Sequence, residues 1–357
     1  MSHRRHSLHC LLPPIVLEHI VRNGDDDQRA WAVGALDHDH TIRLARVQNA
    51  KLRGRGPREG ADFMAVASEV VPNRVVRTAE GTENVDGQVT RSEGDGPADD
   101  EATNEAYDGL GDTFAFWFHA YDRNSIDDAG MPLRGVVHFG DRYPNAFWDG
   151  RRMVFGDGDG RILGPMTKSL DVIGHELGHG VTETEAGLEY FAQPGALNES
   201  MSDVFGSLVK QHKNNQKADQ ADWLIGSEVW TPAISGDALR SMKAPGTAYD
   251  DPLVGKDPQP AHMRDYLDTN RDSGGVHLNS GIPNHAFYLV ATGLGGYAWE
   301  SAGRIWYEAL RSPECGTQTN FPKFAKITVS VVERLHGRAS KESNTVRDAW
   351  EQVGLTA

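Results

Sequence analysis

Cysteine is almost absent from this chain. Only Cys10 and Cys315 occur among its 357 residues, so no disulfide framework can carry the fold, and stability must come from packing and bound metal ions. Long apolar runs are missing too: no window approaches the roughly 18 uninterrupted apolar residues that a membrane span needs. Basic residues are the minority, 36 Lys and Arg against 51 Asp and Glu, a formal net charge of −15. Such a surface repels phosphate backbones and excludes nucleic acid as the main partner. The start, MSHRRHSLHCLLPPIVLEHI, has a basic end and a short apolar stretch, but Pro13-Pro14 interrupts it and no small-residue cleavage site follows. The expectation is something other than a standard secretion signal.

The length suffices for two domains or one large two-lobed unit with a cleft. Residues 1–50 read as a separate unit: a Pro-broken apolar segment, a turn at Asn23-Gly24-Asp25-Asp26-Asp27, then AWAVGAL and TIRLARV, expected as short strands. The basic, Gly-rich KLRGRGPREG at 51–60 suits an exposed linker, or else a loop between two strands of one domain. FMAVASEVV and NRVVRTA read as strands, and Glu80 to Glu105 as loop. Leu110, Phe114, Trp117, Phe118 and Tyr121 predict a helix, and RGVVHF at 134–139 a strand. Beyond about residue 165 the periodicity is helical, with segments centred on 175, 204, 287, 305, 330 and 349. In the last, Val346, Trp350 and Val353 form an apolar stripe that implies core and no chemistry.

The segment SLDVIGHELGHGVTETEAG places His175 and His179 four apart within the apolar pattern Leu170, Ile173, Leu177, Val181. Both imidazoles then share one helical face and can point at a single ion, with Glu176 beside them in reach of a metal-bound water. Gly174, Gly178 and Gly180 weaken this helix, a cost that close approach of another group explains. By itself such a match leaves satisfied structural histidines open as the alternative. A second helix, ALNESMSDVFGSLVK, follows with Met201, Val204, Phe205 and Leu208 on its buried side. Glu199 becomes the third ligand, and Asp203, one turn on, can accept a hydrogen bond from the unligated nitrogen of a zinc histidine.

These residues resemble the thermolysin family of neutral metallopeptidases. The resemblance covers HELGHGVTE and GALNESMSD, NAFWDG at 145–150, VFGDGDG at 154–160, SGDALRSM at 235–242 and DSGGVHLNSG at 272–281, more than half the chain in the family's order. It implies one catalytic Zn2+ on His175, His179 and Glu199, with Glu176 as general base. It implies His277 as the stabiliser of the oxyanion, Asp272 as the carboxylate that orients it, and Tyr190 as a second donor to the oxyanion. Arg240 would hold a substrate carbonyl, and Asn145 and Ala146 would pair with substrate backbone. Leu163, Met166, Val172, Ile225 and Leu239 would line an apolar pocket, implying cleavage on the amino side of bulky hydrophobic residues. Without the resemblance, His277 reads as a structural histidine and Arg240 as a surface ion pair.

The chain also departs from that pattern. Where the family's calcium cluster would lie, Asp171 and Asp222 stay acidic but Lys210, Leu224 and Ser227 have lost oxygen ligands, which a hard cation needs. Lys210 is expected to pair with Asp171 or Asp222 instead. A different Ca2+ site is a candidate at Trp230, Thr231, Ile234 and Asp237, whereas Asp157-Gly158-Asp159-Gly160 is expected to be a tight turn. The short N-terminal unit resembles protealysin-type precursors with a Pro-Pro motif, implying an inhibitory propeptide whose Cys10 is a candidate latency switch on zinc, or else a small buried thiol.

The fold expected is α+β: a short propeptide at 1–50, an N-terminal α+β lobe at 51–193 that includes the histidine helix, and an α-helical C-terminal lobe at 194–357, with zinc in the cleft between. The implied partners are protein or peptide substrates and the chain's own propeptide, with the protein a monomer. Secretion is expected, with cytoplasmic residence or non-standard export as alternatives. Two rivals are a metal-binding, non-proteolytic interaction protein, which would lack the base Glu176, and an aminopeptidase, which would carry an acidic anchor in a GAMEN-like motif that is not found.

Overall fold

The computed structural model describes residues 9–52 and 71–356; the linker from residue 53 onward and the strand expected over 63–71, apart from Val71, which is in no strand, lie outside the described residues. Strand β1 (His9–Cys10) is followed by helices α1 (Pro14–Asn23) and α2 (Asp26–Leu52). Residues expected as two short strands are thus one long helix, and it runs two residues past the boundary expected at 50. The signal for it was local: Asp25 Oδ1 accepts the Gln28 N–H at 2.9 Å while Gln28 Oε1 accepts the Asp25 N–H at 2.9 Å, a reciprocal helix-start box. Trp31, Ala32, Ala35 and Asp39 are buried at helical spacing, whereas Val33 faces solvent.

The front lobe then comprises β2 (Arg74–Thr78), β3 (Val89–Ser92), α3 (Glu101–Tyr121), β4 (Leu133–Val137), β5 (Ala146–Trp148) and β6 (Met153–Phe155). Its sheet has the order β1-β5-β6-β4-β2-β3, parallel at β2–β4 and β4–β6 and antiparallel elsewhere. The stretch expected as loop from Glu80 to Glu105 contains β3 and the start of α3. There Asp100 caps the helix by accepting the Thr103 N–H at 2.8 Å. Leu110, Phe114, Trp117 and Tyr121 bury one face of α3.

The rest is helical: α4 (Leu170–Thr184) and α5 (Ala192–Lys213), the short pair β7 (Leu224–Ile225) and β8 (Arg240–Ser241), then α6 (Asp272–Asn279), α7 (Gly281–Leu294), α8 (Ala302–Arg311), α9 (Phe321–His336) and α10 (Lys341–Gln352). The molecule is therefore mixed α+β, a sheet-bearing front followed by a helical back, and one apolar core runs through both. Val346, Trp350 and Val353 are fully buried in it, as their stripe predicted.

One titratable bridge ties α3 to the sheet. His138, just past β4, places Nδ1 2.9 Å from Asp157 and Nε2 3.2 Å from Asp100. The hydrogen bond to Asp157 is the main cause that lifts its pKa from 6.5 to about 9, against the opposing effect of burial. A folded-state pKa above the unfolded value gives stability that is complete below about pH 6.5 and gone above about pH 9. With screening at this half-exposed site, about 1 kcal/mol is expected. Melting curves of His138→Gln, in an inactive background that prevents self-digestion, should lie below the parent's at pH 6 and converge with them by pH 9.5. A difference in Tm that stays constant across that range would refute the bridge.

Candidate active site

The site begins with glycine. A Cβ on Gly174 would lie 3.0 Å from Gly206 Cα, one on Gly178 would lie 3.2 Å from Ser202 Cα, and one on Gly206 would lie 2.4 Å from the Asp171 carbonyl oxygen. Helices α4 and α5 therefore cross backbone against backbone, which side chains of ordinary size would prevent. The glycines that cost α4 its propensity let its two histidines meet the carboxylate of α5.

At that crossing His175 Nε2 and His179 Nε2 stand 3.1 Å apart, and Glu199 brings Oε2 to 3.6 Å from the first and Oε1 to 3.5 Å from the second. All three side chains are at most 1% exposed. The other ring nitrogens set the tautomers: His175 Nδ1 lies 2.8 Å from Asp203 Oδ1, and His179 Nδ1 lies 2.8 Å from Asn198 Oδ1 and 2.9 Å from Ser202 Oγ. Because carboxylate and amide oxygens can only accept, each Nδ1 carries the proton and each Nε2 presents its lone pair. Two buried acceptor nitrogens and a carboxylate then face one point, and Glu199 Oε2 accepts no hydrogen bond among the described residues. Such a set is stable only around a cation. Nitrogens bound tetrahedrally to one zinc at about 2.05 Å would be separated by about 3.3 Å, close to the spacing seen, so the donors fit Zn2+. Glu176 also lies within metal-ligand spacing of the two histidines, but its Oε2 is held by the Trp148 backbone N–H, which leaves Glu199 as the third donor.

Around this point the cleft supplies acid, base and donor groups. Glu176 is buried, and its Oε2 accepts the Trp148 backbone N–H at 3.0 Å, which ties it to β5. Opposite, Asp272, Ser273, Gly274 and Gly275 all have positive φ, from 51° to 84°, a left-handed turn that only the two glycines adopt without strain. The turn brings Asp272 back onto the ring it precedes: Oδ1 lies 2.6 Å from His277 Nδ1, and Oδ2 accepts the His277 backbone N–H at 2.9 Å. Burial opposes the charge on His277, but the adjacent Asp272 and Glu199 carboxylates overcome it and lift its pKa to about 9. Tyr190 joins the halves, its hydroxyl donating a short hydrogen bond to Glu199 Oε1 and lying 3.1 Å from His277 Nε2.

The groove beside these groups holds the chain's own N-terminal segment. Strand β1 pairs antiparallel with β5, Cys10 opposite Phe147. The Leu11 N–H approaches the Ala146 carbonyl at 3.5 Å. Arg240 Nη1 donates to the Leu11 carbonyl at 2.8 Å, and Asn145 Oδ1 accepts the Leu12 N–H at 3.0 Å. From the other side Asp39 on α2 is buried against Tyr143 and Asn145, 2.6 Å from the hydroxyl and 3.4 Å from the amide nitrogen. Leu163, Met166, Val172, Ile225 and Leu239 are buried and share one apolar cluster with Leu11 and Leu12. The side chain of Cys10 lies outside the described part of the structure.

One buried carboxylate links groove and metal point. Asp203 Oδ1 takes Arg240 Nη2 at 2.7 Å as well as His175, and Oδ2 takes Arg240 Nε at 2.9 Å and Asn284 Nδ2 at 2.8 Å. Burial alone would raise its pKa, yet Arg240 and His175 hold it well below the usual carboxylate range. Arg240 is thus buried and not a surface ion pair. Asn198, Ser202 and Asn284 were missed in the sequence. Asn198 and Ser202 lay within GALNESMSD, one position before Glu199 and one before Asp203, while Asn284 carried no spacing signal.

The lost calcium ligands also have a visible consequence. Lys210 Nζ donates to Asp171 at 2.7 Å, to Asp222 and to the Leu224 carbonyl at 2.8 Å, so the ammonium pairs with both carboxylates. Asp159 Oδ1 accepts three successive backbone N–H groups, of Arg161, Ile162 and Leu163, so the chain turns over 159–163, overlapping only the end of the run expected as a tight turn. In the stretch from Trp230 to Asp237, the Thr231 carbonyl already accepts the Ile234 N–H and Asp237 is exposed. Calcium there would rest on backbone oxygens and that single carboxylate.

Comparison with known proteins agrees with this geometry. Residues 61–183 match the family described as thermolysin metallopeptidase, catalytic domain, and residues 186–355 match its alpha-helical domain. The chain is 46% identical over 345 residues to an extracellular metalloprotease of Pectobacterium carotovorum subsp. carotovorum, covering 97% of this chain and 96% of that one. It is 39% identical over 263 residues to thermolysin of Alicyclobacillus acidocaldarius subsp. acidocaldarius, covering 72% of this chain and 46% of that one. Among solved structures, the precursor of protealysin, a metalloproteinase from Serratia proteamaculans, superimposes with a TM-score of 0.87 at 48% identity, covering 98% of this chain and all of that one.

The helix crossing makes a direct prediction. Gly206→Ala forces a Cβ onto the Asp171 carbonyl and the His175 backbone nitrogen, so α5 must retreat and carry Glu199 away. A loss of about 3 kcal/mol and substoichiometric zinc by elemental analysis are expected. Full zinc occupancy with an unchanged Tm would show that the close crossing is dispensable.

Proposed function

The chain belongs to the thermolysin metallopeptidase family, and from that premise we propose that it is an endopeptidase made as a latent precursor, cutting on the amino side of bulky hydrophobic residues. It is a zinc metalloprotease. The observation that carries the finer reading is the N-terminal segment in the groove. That segment passes through with chain on both sides, from His9 to Pro14, and meets Arg240 and Asn145 by backbone alone. A groove that accepts the middle of a chain supports internal cleavage and not removal of a terminal residue. Recognition by strand addition leaves specificity to side-chain pockets, and the full burial of Leu11 in the groove supports a bulky apolar side chain there.

When bound by His175, His179 and Glu199, zinc supplies Lewis acidity and a water acidified to a pKa of about 7. Glu176 takes the proton from the attacking water and delivers it to the leaving amine, a role its burial beside the groove supports. His277, kept protonated by Asp272, and the Tyr190 hydroxyl donate to the oxyanion as charge develops on it. Arg240 grips the carbonyl and Asn145 the N–H on the leaving side. The presence of Glu176 disfavours a purely metal-binding role.

The same contacts make the N-terminal segment an inhibitor in its own right, because it occupies the hydrogen bonds a substrate would need. Removal within the basic linker, as a single-chain enzyme outside the cell, is the reading that the extracellular relatives and the protealysin precursor support. Cys10, next to Leu11 in the chain, would be the latency switch.

An internally quenched peptide blocked at both ends should be cleaved before a bulky apolar residue by the trimmed enzyme. Glu176→Gln should slow this roughly 100- to 10,000-fold without unfolding. Leu11→Asp, which puts a charge into an apolar site, should make the untrimmed chain about tenfold more active. Cleavage confined to substrates with a free amino terminus would refute internal cutting, and an intact chain as active as the trimmed one would refute latency. Cys10→Ser with latency intact would exclude the thiol.

A further inference from the structure

We propose that Asn284 is a positioning residue of the active site, fixing Asp203 so that one carboxylate serves the metal ligand His175 and the substrate clamp Arg240 together. The proposal rests on the roles given above to those two residues. Asn284 lies in the first turn of α7, seven residues past His277, and is fully buried. The group it turns to Asp203 Oδ2 at 2.8 Å must be its NH2, since a carboxylate only accepts.

The need for it follows from how Asp203 is shared. Arg240 holds both oxygens in a fork, at 2.7 and 2.9 Å, while His175 holds only Oδ1. The guanidinium also donates to the carbonyl that occupies the groove, here that of Leu11. Anchored by Arg240 alone on Oδ2, the carboxylate would take its orientation from a group that is also drawn toward the groove, and the hydrogen bond that orients His175 would depend on what lies there. Asn284 is a third anchor, on the oxygen His175 does not use. It comes from the segment that bears His277, so α4, β8 and α7 are registered on one carboxylate.

Packing alone does not account for the residue. Asn284 Oδ1 is buried and accepts no hydrogen bond among the described residues, which is a cost to stability. Leucine, of similar shape, would fill the same space without it, so the amide is retained for what its nitrogen holds.

The test uses Asn284→Leu and, in case that variant folds poorly, the smaller Asn284→Ser, each in the full chain with Glu176→Gln for binding work and in the trimmed active enzyme for kinetics. Removing a group that orients a zinc ligand typically costs 10- to 100-fold in metal affinity or activity; one bond further out, roughly tenfold faster zinc release to a chromogenic chelator is expected. KM for a blocked peptide should rise severalfold, with Tm within a few degrees of the parent. Zinc release and KM both unchanged would overturn the proposal, as would a fall in Tm without either effect. Arg240→Ala separates the layers: if it leaves KM unchanged, the clamp reading fails, while accelerated zinc release in the Asn284 variants still stands for or against this proposal.

Discussion

Everything in this structure depends on a deliberate electrostatic deficit: two imidazole lone pairs and a carboxylate brought within 3.1 to 3.6 Å of one another, out of contact with water. Left to themselves these acceptors would repel one another or capture protons. By committing each Nδ1 proton to Asp203 or Asn198, the chain fixes the tautomer in which each Nε2 lone pair faces the cation. The glycine crossing of α4 and α5 is the mechanical counterpart, because only helices whose backbones nearly touch can press three such groups together against their mutual repulsion.

That constraint propagates outward through Asp203. Its four hydrogen bonds reach His175, both arms of the arginine that meets the groove, and the helix after His277. A carboxylate so saturated stays ionised at any pH the protein meets, as its depressed pKa reflects. Metal point and groove are therefore parts of one rigid electrostatic unit. The N-terminal segment lies against that unit, its backbone meeting the side-chain donor of Arg240 and the side-chain acceptor of Asn145. Asp39 reinforces it by holding Asn145 from behind. A segment fixed at both faces of the same amide is harder to displace than one relying on strand pairing alone.

Much of this was legible in the sequence where chemistry imposes spacing. His175 and His179 had to be four apart on a helix, Asp203 one turn past Glu199, and the glycines of α4 had to face something close. Lys210 was legible by its charge among lost carboxylates. The polar partners supplied from a distance were not: Asn284 reaches Asp203 only because a kinked pair of helices folds it back, and no period in the sequence encodes that. The misreading of α2 has a different cause. Short apolar runs such as AWAVGAL fit strand or helix equally, and the decisive feature was the reciprocal pair Asp25 and Gln28, of which Asp25 was read only as turn and Gln28 not at all. Arg240 could be taken for a surface ion pair because burial of a guanidinium depends on partners from α5 and the N-terminal segment, both far away in the chain.

The lysine in place of calcium completes the same logic. Asp171 stands at the start of α4 and Lys210 near the end of α5, so their ion pair clamps the two helices whose crossing presses His175, His179 and Glu199 together. Burial penalises the ammonium, but Asp171 and Asp222 more than compensate and raise its pKa. A divalent ion at that place would bind more strongly per contact, yet it can be lost to dilution or chelation. An ammonium tethered to α5 cannot dissociate from the helix it clamps. The charge that clamps the crossing is thus covalently built in, whereas the cation that the histidines face is exchangeable.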